Sequence, residues 1–189
     1  MIVQNKLSNA IALLATGILA GTFFYATSNV LPTFWEVPTN IHLAFRVALM
    51  RHNALNMQLL MATAIVASLW FGLTVRRQRV PFVFAIVAIL LTIATLMITR
   101  FGNVPINMEV KTWLPSAPPA NWLTTMKTWD SYHSMRTATA IGSFLMVLLA
   151  SFSASTDSKQ KKGSDINIRF NSKNRNTGKA KKIMASSPS

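Results

Sequence analysis

The chain has 189 residues, no cysteine, 51% hydrophobic residues and 13% charged residues, and its 19 Lys and Arg outnumber its 5 Asp and Glu. A soluble domain carries about 25% charged residues, so the composition excludes an ordinary water-soluble globule. A disordered nucleic-acid-binding chain is excluded as well, because such chains lack apolar residues. The absence of cysteine excludes disulfides, thiolate catalysis and Cys-ligated metal sites.

Four stretches carry no charged side chain, at residues 7–35, 52–75, 80–99 and 137–156. Each reaches the ~20 residues that a helix needs to cross ~30 Å of hydrocarbon. Backbone polar groups in lipid must be satisfied within the segment, so these stretches are predicted to be helices. We predict an all-α integral membrane four-helix bundle over residues 1–156, with spans at roughly 7–32, 52–75, 80–100 and 134–155.

The first span contains two small residues four apart, Gly17 and Gly21. This spacing lets helices pack closely in lipid, and it is also where a homo-oligomer would form. The apolar stretch is too long for a signal peptide with Lys6 as its basic region, so we predict a retained anchor. Tyr25, near its end, is a candidate pocket residue because a buried phenol needs a partner.

The second span belongs to a longer helix that starts near Pro38 and meets no further Pro or Gly before Gly72. Six residues in this helix recur at spacings of 4, 3, 4, 3 and 4, which places them on one face. They are His42, Arg46, Leu49, Asn53, Asn56 and Leu60. The helix therefore carries a polar stripe in its first half.

Basic residues predict the orientation of the bundle. Arg76, Arg77 and Arg79 crowd the tight turn between spans two and three, and a basic tail follows span four. By the positive-inside rule, both groups and both termini face the cytoplasm. The loops near residues 31–52 and 100–136 then face outward, with all three histidines and four of the five tryptophans. We predict a plasma or inner membrane protein with its site on the extracytoplasmic side.

The third span is followed by Gly102 and Pro105, which are predicted to end the helix and form a turn. Asn103 and Asn107 lie beside them and either cap backbone groups or bind a ligand. The pattern V-P-x-N at residues 104–107 also occurs at 37–40. So short a match suggests a duplication of two helices without establishing one.

The fourth span is predicted to begin outside the membrane, with Asn121 as the N-cap of a helix over residues 121–154. One face carries a second stripe, made of Trp122, Met126, Trp129, His133, Arg136 and Ala140. Helices two and four would thus extend beyond the bilayer and face each other across a polar, Trp-lined pocket. The alternative is that these side chains are interfacial anchors. Ionisable residues on an interior face favour a function instead.

Residues 157–189 form a basic segment that is predicted to be a disordered cytoplasmic tail. The last 39 residues, 151–189, hold nine basic residues and two acidic ones. Such clusters attract anionic headgroups by ~1 kcal/mol per charge, so membrane lipid is the expected partner. No aromatic interleaving supports nucleic-acid binding, and none is predicted.

The segment from residue 103 to 146 resembles a known family in the order N-V-P-I-N, Trp, P-P-x-x-W and W-x-x-x-H-x-x-R-T. The matching residues are Asn103, Pro105, Asn107, Trp113, Pro118, Pro119, Trp122, Trp129, His133, Arg136 and Thr137. This pattern is similar to that of the anthrone-oxygenase-like integral membrane proteins. The resemblance covers about 45 residues and leaves the basic tail outside.

The resemblance implies a four-helix membrane bundle that oxidises anthrones to anthraquinones with molecular oxygen and without an evident metal or flavin. It also implies that Asn103, Asn107, Trp129, His133 and Arg136 form the site. No cofactor and no metal site is therefore expected.

A mechanism follows as a hypothesis. A hydrophobic phenolic substrate enters from lipid and stacks on Trp122 or Trp129. His133 takes a proton from it, and Arg136 with Asn103 or Asn107 stabilises the oxyanion. The other predicted substrate-binding residues are Asn53, Asn56, His42, Arg46 and Tyr25.

Two other readings remain open at this point. The first is a non-catalytic protein or accessory subunit that binds a quinone, a lipid or haem. His42, His52 and His133 would then ligate haem or copper, helped by Met50, Met57 or Met126, although no compact His motif is present. The second is transport, which the absence of charges near the span midplanes disfavours.

Overall fold

The computed structural model describes the backbone of residues 2–113 and 118–185 and the side chains of residues 6–113 and 118–155. This part of the chain is all-helical. The helices are α1 (Ile2–Tyr25), α2 (Leu31–Trp35), α3 (Thr39–Val75), α4 (Arg79–Ile98), α5 (Val104–Thr112) and α6 (Trp122–Ala185). Five-residue π-helical turns join α1 to α2 (Ala26–Val30) and α4 to α5 (Thr99–Asn103).

Four helical runs are long and apolar enough to cross a membrane, as the sequence predicts. They are Lys6–Trp35, Thr39–Val75, Arg79–Thr112 and Trp122–Ser155. The first and third include a π-helical turn and the short helix that follows it, so they continue beyond the predicted ends at residues 32 and 100. The protein is therefore a four-helix membrane bundle.

The bundle is square in cross-section. Both α1 and α4 pack against α3 and against α6, which places α3 and α6 diagonally opposite each other. One end contains α2, α5 and the N-terminal halves of α3 and α6, and is called the cavity end below. The other contains the α3–α4 turn at residues 76–78 and is called the turn end.

The turn end has a core rich in small side chains, packed with larger ones such as Phe71 and Met61. Ala64, Ala85, Ala88, Ala140 and Ala150 are each at most 1% exposed. The helices are joined by hydroxyl hydrogen bonds, such as Thr92 to Ser143 at 2.6 Å and Thr95 to Thr139 at 2.8 Å, and by a contact between Ser151 and Asn9. Small residues allow close helix approach in lipid, where packing rather than the hydrophobic effect drives association.

The cavity end is built from larger side chains. Its core cluster contains Leu31, Leu43, Val47, Met50, Val110, Trp113, Met126 and Trp129. These side chains come from α2, α3, α6 and the α5 region, so the core extends past α1 and α4. The cavity described below also lies at this end.

The prediction that Gly102 and Pro105 end the third helix is wrong, because the chain continues helically through both. A π-helical turn widens the helix just before Pro105, which occupies the first turn of α5, where a missing N–H costs little. A side chain larger than glycine would clash at position 102, because a Cβ there would lie 2.6 Å from Cγ of Tyr132.

The first span has the same construction. The turn at residues 26–30 precedes Pro32, which occupies the first turn of α2. Pro32 and Pro105 thus follow matched π-helical turns, and each precedes a long helix with a His–Arg pair. By their position after the π-helical turns, Pro32 corresponds to Pro105. The V-P-x-N pattern in the sequence had instead matched Pro38 with Pro105.

Two predictions concern regions that the structure leaves open. α3 has 37 residues and is about 55 Å long at 1.5 Å per residue, longer than a ~30 Å hydrocarbon slab. Projection of α3 and α6 on the outer side stays a prediction. The backbone of residues 157–185 is described as a continuation of α6, the side chains of the tail lie outside the described residues, and its disorder stays a prediction too.

Candidate functional site

A cavity of about 450 Å³ lies between the helices at the cavity end. Most of its lining is apolar, including Phe23, Leu31, Phe34, Met50, Met57 and Met61. Its polar lining includes Arg46, Asn53, Gln58, Asn107, Lys111, His133 and Arg136, and among the described residues it contains no carboxylate. The volume lies within the range of small-molecule sites, and the few polar groups would orient a ligand.

His133 and Arg136 form a buried pair on one face of α6, 2% and 8% exposed. Nε and Nη2 of Arg136 lie 3.1 and 2.6 Å from Nδ1 of His133. A guanidinium has only donors, so Nδ1 must accept and a neutral ring carries its proton on Nε2. Nε2 is buried without a hydrogen bond of ordinary geometry, although the ring approaches the backbone carbonyl of Phe23.

Aromatic rings flank both arginines of the cavity. The Cζ atom of Arg46 lies 4.9 Å from the ring centroid of Phe34 and 4.7 Å from that of Trp129. The Cζ atom of Arg136 lies 4.6 Å from the ring of Phe23 and 5.3 Å from Trp129. Trp129 therefore contacts both cations, and cation–π attraction offsets part of their desolvation.

A second His–Arg pair lies on α3, one turn apart. Nε of Arg46 donates to Nε2 of His42 over 2.9 Å, and Nη2 donates to Asp130 of α6 over 2.6 Å. The other carboxylate oxygen of Asp130 accepts from the indole of Trp35 at 2.9 Å. Asp130 thus links α2, α3 and α6, while Nη1 of Arg46 stays buried without a partner.

The two asparagines after the third span act on Trp129. Asn103 is fully buried and donates to the Trp129 carbonyl over 3.0 Å, but it does not line the cavity. Asn107 lines the cavity, and its side-chain oxygen accepts from the Trp129 indole at 2.6 Å. The π-helical turn between α4 and α5 places both asparagines against α6.

Seven of the eleven predicted site residues line the cavity: His133, Arg136, Asn107, Trp129, Asn53, Arg46 and Tyr25. The other four, Asn103 included, lie outside this lining. His42 is buried under Phe34 and Trp35, and Trp122 packs against His42. Asn56 is exposed.

Sequence reasoning missed several residues of this region. Asp130 neutralises Arg46, and Phe23 and Phe34 supply aromatic faces for the two arginines. Asp130 was detectable, because it lies one residue after Trp129 and close to two ionisable residues on the same helix. Phe23 and Phe34 carried no signal, since phenylalanine is common in every span.

Metal ligands do not gather in the described part of the chain. No group of three His, Asp or Glu side chains there lies close enough together to hold an ion. His42 and His133 each use one ring nitrogen to accept from an arginine. The haem or copper alternative stays untested.

Many of the residues that line the cavity lie in a part of the chain that is similar to a known protein family. A family model described as "Anthrone oxygenase" matches residues 45–146, more than half of the chain. The chain belongs to the anthrone oxygenase family. The match begins in α3 just before Arg46 and ends in α6 beyond Arg136, so it includes both cavity arginines. No curated protein and no solved structure matches.

Proposed function

We propose that this protein is a membrane oxygenase that binds a hydrophobic anthrone-type compound in the cavity and oxidises it with molecular oxygen. The observation that carries the proposal is the coincidence of the family match with the cavity. Residues 45–146 contain Arg46, Trp129, His133 and Arg136, which line it together. The cavity would be reached from lipid, since Tyr25 is 62% exposed at its edge.

The proposed reaction balances with oxygen as the only oxidant. An anthrone carries a CH₂ group opposite its carbonyl, and one anthrone with one O₂ gives one anthraquinone and one water. Loss of a CH₂ proton gives an enolate, whose carbon adds O₂ to form a peroxide anion, and return of the same proton gives the hydroperoxide. The hydroperoxide then loses its remaining ring C–H proton and hydroxide, which leave as water and form the second carbonyl.

The cavity residues suit the enolate step. Donors placed where negative charge develops lower the barrier most in a water-excluded site. Arg136 supplies the charge, and Nη1 of Arg46 is a second donor without a partner. When Arg136 turns to the enolate oxygen, Nδ1 of His133 is released and takes the CH₂ proton, which it then donates to the peroxide anion. Trp129 positions the ring system by stacking.

Two further parts of the proposal concern the surroundings of the site. We propose that the reaction uses no resident metal or flavin, which metal analysis and an absorption spectrum of purified protein would test. We also propose that Arg76, Arg77 and Arg79 face the cytoplasm and that the cavity faces outward. Labelling of single cysteines at residues 78 and 108 in intact cells would report the two sides.

The leading alternative is a protein that binds a quinone without turning it over. Two observations favour it: Nδ1 of His133 is occupied by Arg136, and the described residues lining the cavity include no carboxylate base. The carbonyl oxygens of a quinone would accept hydrogen bonds from N–H groups of the cavity, such as Nη1 of Arg46. Transport and an accessory role lack such an observation.

The deciding experiment is turnover of a hydroxylated anthrone by protein in lipid vesicles. Oxygen uptake and quinone absorbance should exceed those of empty vesicles, which correct for spontaneous oxidation. His133→Ala should lower the rate by about 100-fold or more, as expected for loss of a general base. His52→Ala, an exposed residue of α3 outside the cavity, is the matched control and should keep the full rate.

Two results would contradict the enzyme proposal. The first is a rate equal to that of empty vesicles in properly folded protein. The second is full activity in His133→Ala. A stoichiometric quinone that co-purifies and is not consumed would favour the binding alternative.

A further inference from the structure

The charges around the cavity do not balance. The side chains described contain one ion pair, between Arg46 and Asp130. Arg136 also lines the cavity, but its contacts are His133 and the rings of Phe23 and Trp129. The cavity therefore carries one buried guanidinium without a carboxylate partner.

This imbalance is costly for the empty protein. A buried charge is normally paired, because desolvation costs several kcal/mol. Cation–π contacts recover only part of this cost. A ligand that brings a negative charge to Arg136 would complete the missing pair, and in this low-dielectric site the gain would be larger than in water.

The neighbouring donors define how such a ligand would lie. Nη1 of Arg46 is buried without a partner, and Nε2 of His133 approaches only the backbone carbonyl of Phe23. Both side chains are 2% exposed and line the cavity. Arg46 is already neutralised by Asp130, so it offers a donor but little net charge. Lys111, the third cation of the lining, is exposed at the mouth and remains hydrated.

We infer that the natural ligand of this cavity is a hydrophobic monocarboxylate, whose anionic group pairs with Arg136 and whose neutral oxygen accepts from Arg46. One unbalanced charge matches one carboxylate, and a guanidinium fork matches carboxylate geometry. The inference rests on the proposed function only in taking this cavity as the binding site. It adds that the ring compound carries an acid group. For such a compound, Arg136 would hold the carboxylate, and Nη1 of Arg46 would donate to the ring oxygen that becomes the enolate.

The test compares pairs of probes that differ in charge alone. Anthraquinone-2-carboxylate and its carboxamide would be titrated into protein in neutral-lipid nanodiscs, with hexadecanoate and hexadecanol as a second pair. We expect the ring carboxylate to bind at least 10-fold more tightly than its carboxamide. If the preference appears only in the second pair, the carboxylate comes from a fatty acid of the membrane rather than from an aromatic substrate.

Variants identify the cation responsible. Arg136→Gln should remove the preference, Arg136→Lys should keep part of it, and Lys111→Gln should leave the preference intact while changing its salt dependence. Equal binding of carboxylate and carboxamide by the wild-type protein would overturn the inference even if Arg136→Gln does not fold. A preference that survives in Arg136→Gln, or that disappears in Lys111→Gln, would overturn it as well.

The outcome separates this inference from the oxygenase proposal. If a neutral anthrone is turned over while both ring probes bind equally, the oxygenase proposal stands and the monocarboxylate inference fails. If the carboxylate binds preferentially and no anthrone is oxidised, the binding inference stands and the catalytic proposal fails.

Discussion

The two His–Arg pairs of this protein have similar local geometry and opposite electrostatic settings. In each pair the arginine donates to a histidine one turn earlier on the same helix. Arg46 is further bound to Asp130, which also holds Trp35. Arg136 contacts aromatic rings where Arg46 has a carboxylate.

We propose that Arg46 is mainly structural and offers the cavity one N–H group, whereas Arg136 is mainly functional. The pair on α3 is part of a neutral network that joins three helices, so its loss should destabilise the fold. The pair on α6 keeps an unbalanced charge next to a cavity, so we expect it to contribute less to stability and to be available to a ligand. Variants of each pair should therefore differ in whether they lose stability or activity.

Asp130→Asn should lower the free energy of unfolding by about 3 kcal/mol, because removal of one partner leaves Arg46 buried and unpaired. Reversible unfolding in mixed micelles would measure the change. The double variant Arg46→Met with Asp130→Asn should recover most of the loss, since neither charge remains. Wild-type stability in Asp130→Asn would show that the network is not structural.

Arg136→Gln should lower activity strongly and stability little, the reverse of what we expect for Asp130→Asn. Its anthrone oxidation rate should fall about 100-fold, a change of ~2.7 kcal/mol in the barrier, through loss of charge stabilisation. Its free energy of unfolding should change by less than ~1 kcal/mol, because an unpaired buried charge has been removed. Unfolding and oxygen uptake measured on the same preparation would show whether activity falls while stability is kept. A large loss of stability with unchanged activity would reverse the roles assigned to the two arginines.

Gly102→Ala should destabilise the protein by about 1–3 kcal/mol, because the new Cβ would lie 2.6 Å from the ring of Tyr132, next to His133. Gly21→Ala is the matched control, since a Cβ there meets no atom within 4 Å. Thermal unfolding of both variants would test whether the π-helical turn needs this contact. Equal melting temperatures would show that the turn relaxes without cost.

Asn107→Ala should have the smallest effect. It should lower the free energy of unfolding by about 1 kcal/mol, because the hydrogen bond to the Trp129 indole is lost. A several-fold rise in KM for the anthrone should accompany it, because Trp129 lies against both cavity arginines. Asn56→Ala, on the exposed face of α3, should change neither quantity. A similar change in both variants would mean that the Trp129 contact has no special role.

Much of the site could be predicted because helical periodicity is a local property. The spacing of Arg46 and Asn53 on α3, and of Trp129, His133 and Arg136 on α6, gives each set a common direction on its own helix. All five line the cavity. The same spacing also selected Asn56 and Trp122, which lie outside it, because periodicity does not report where a neighbouring helix ends.

The sequence by itself determined the four apolar spans and the family, since hydropathy and motif order are read along the chain without knowledge of contacts. Only the tertiary structure decided which charges meet. Asp130 reaches Arg46 across 84 positions, and Tyr132 packs over Gly102 so that a π-helical turn replaces the predicted helix end. Such pairings depend on helix rotation and separation, which are set by packing throughout the bundle. That packing leaves Asp130 beside one arginine and leaves the other with aromatic partners and a cavity.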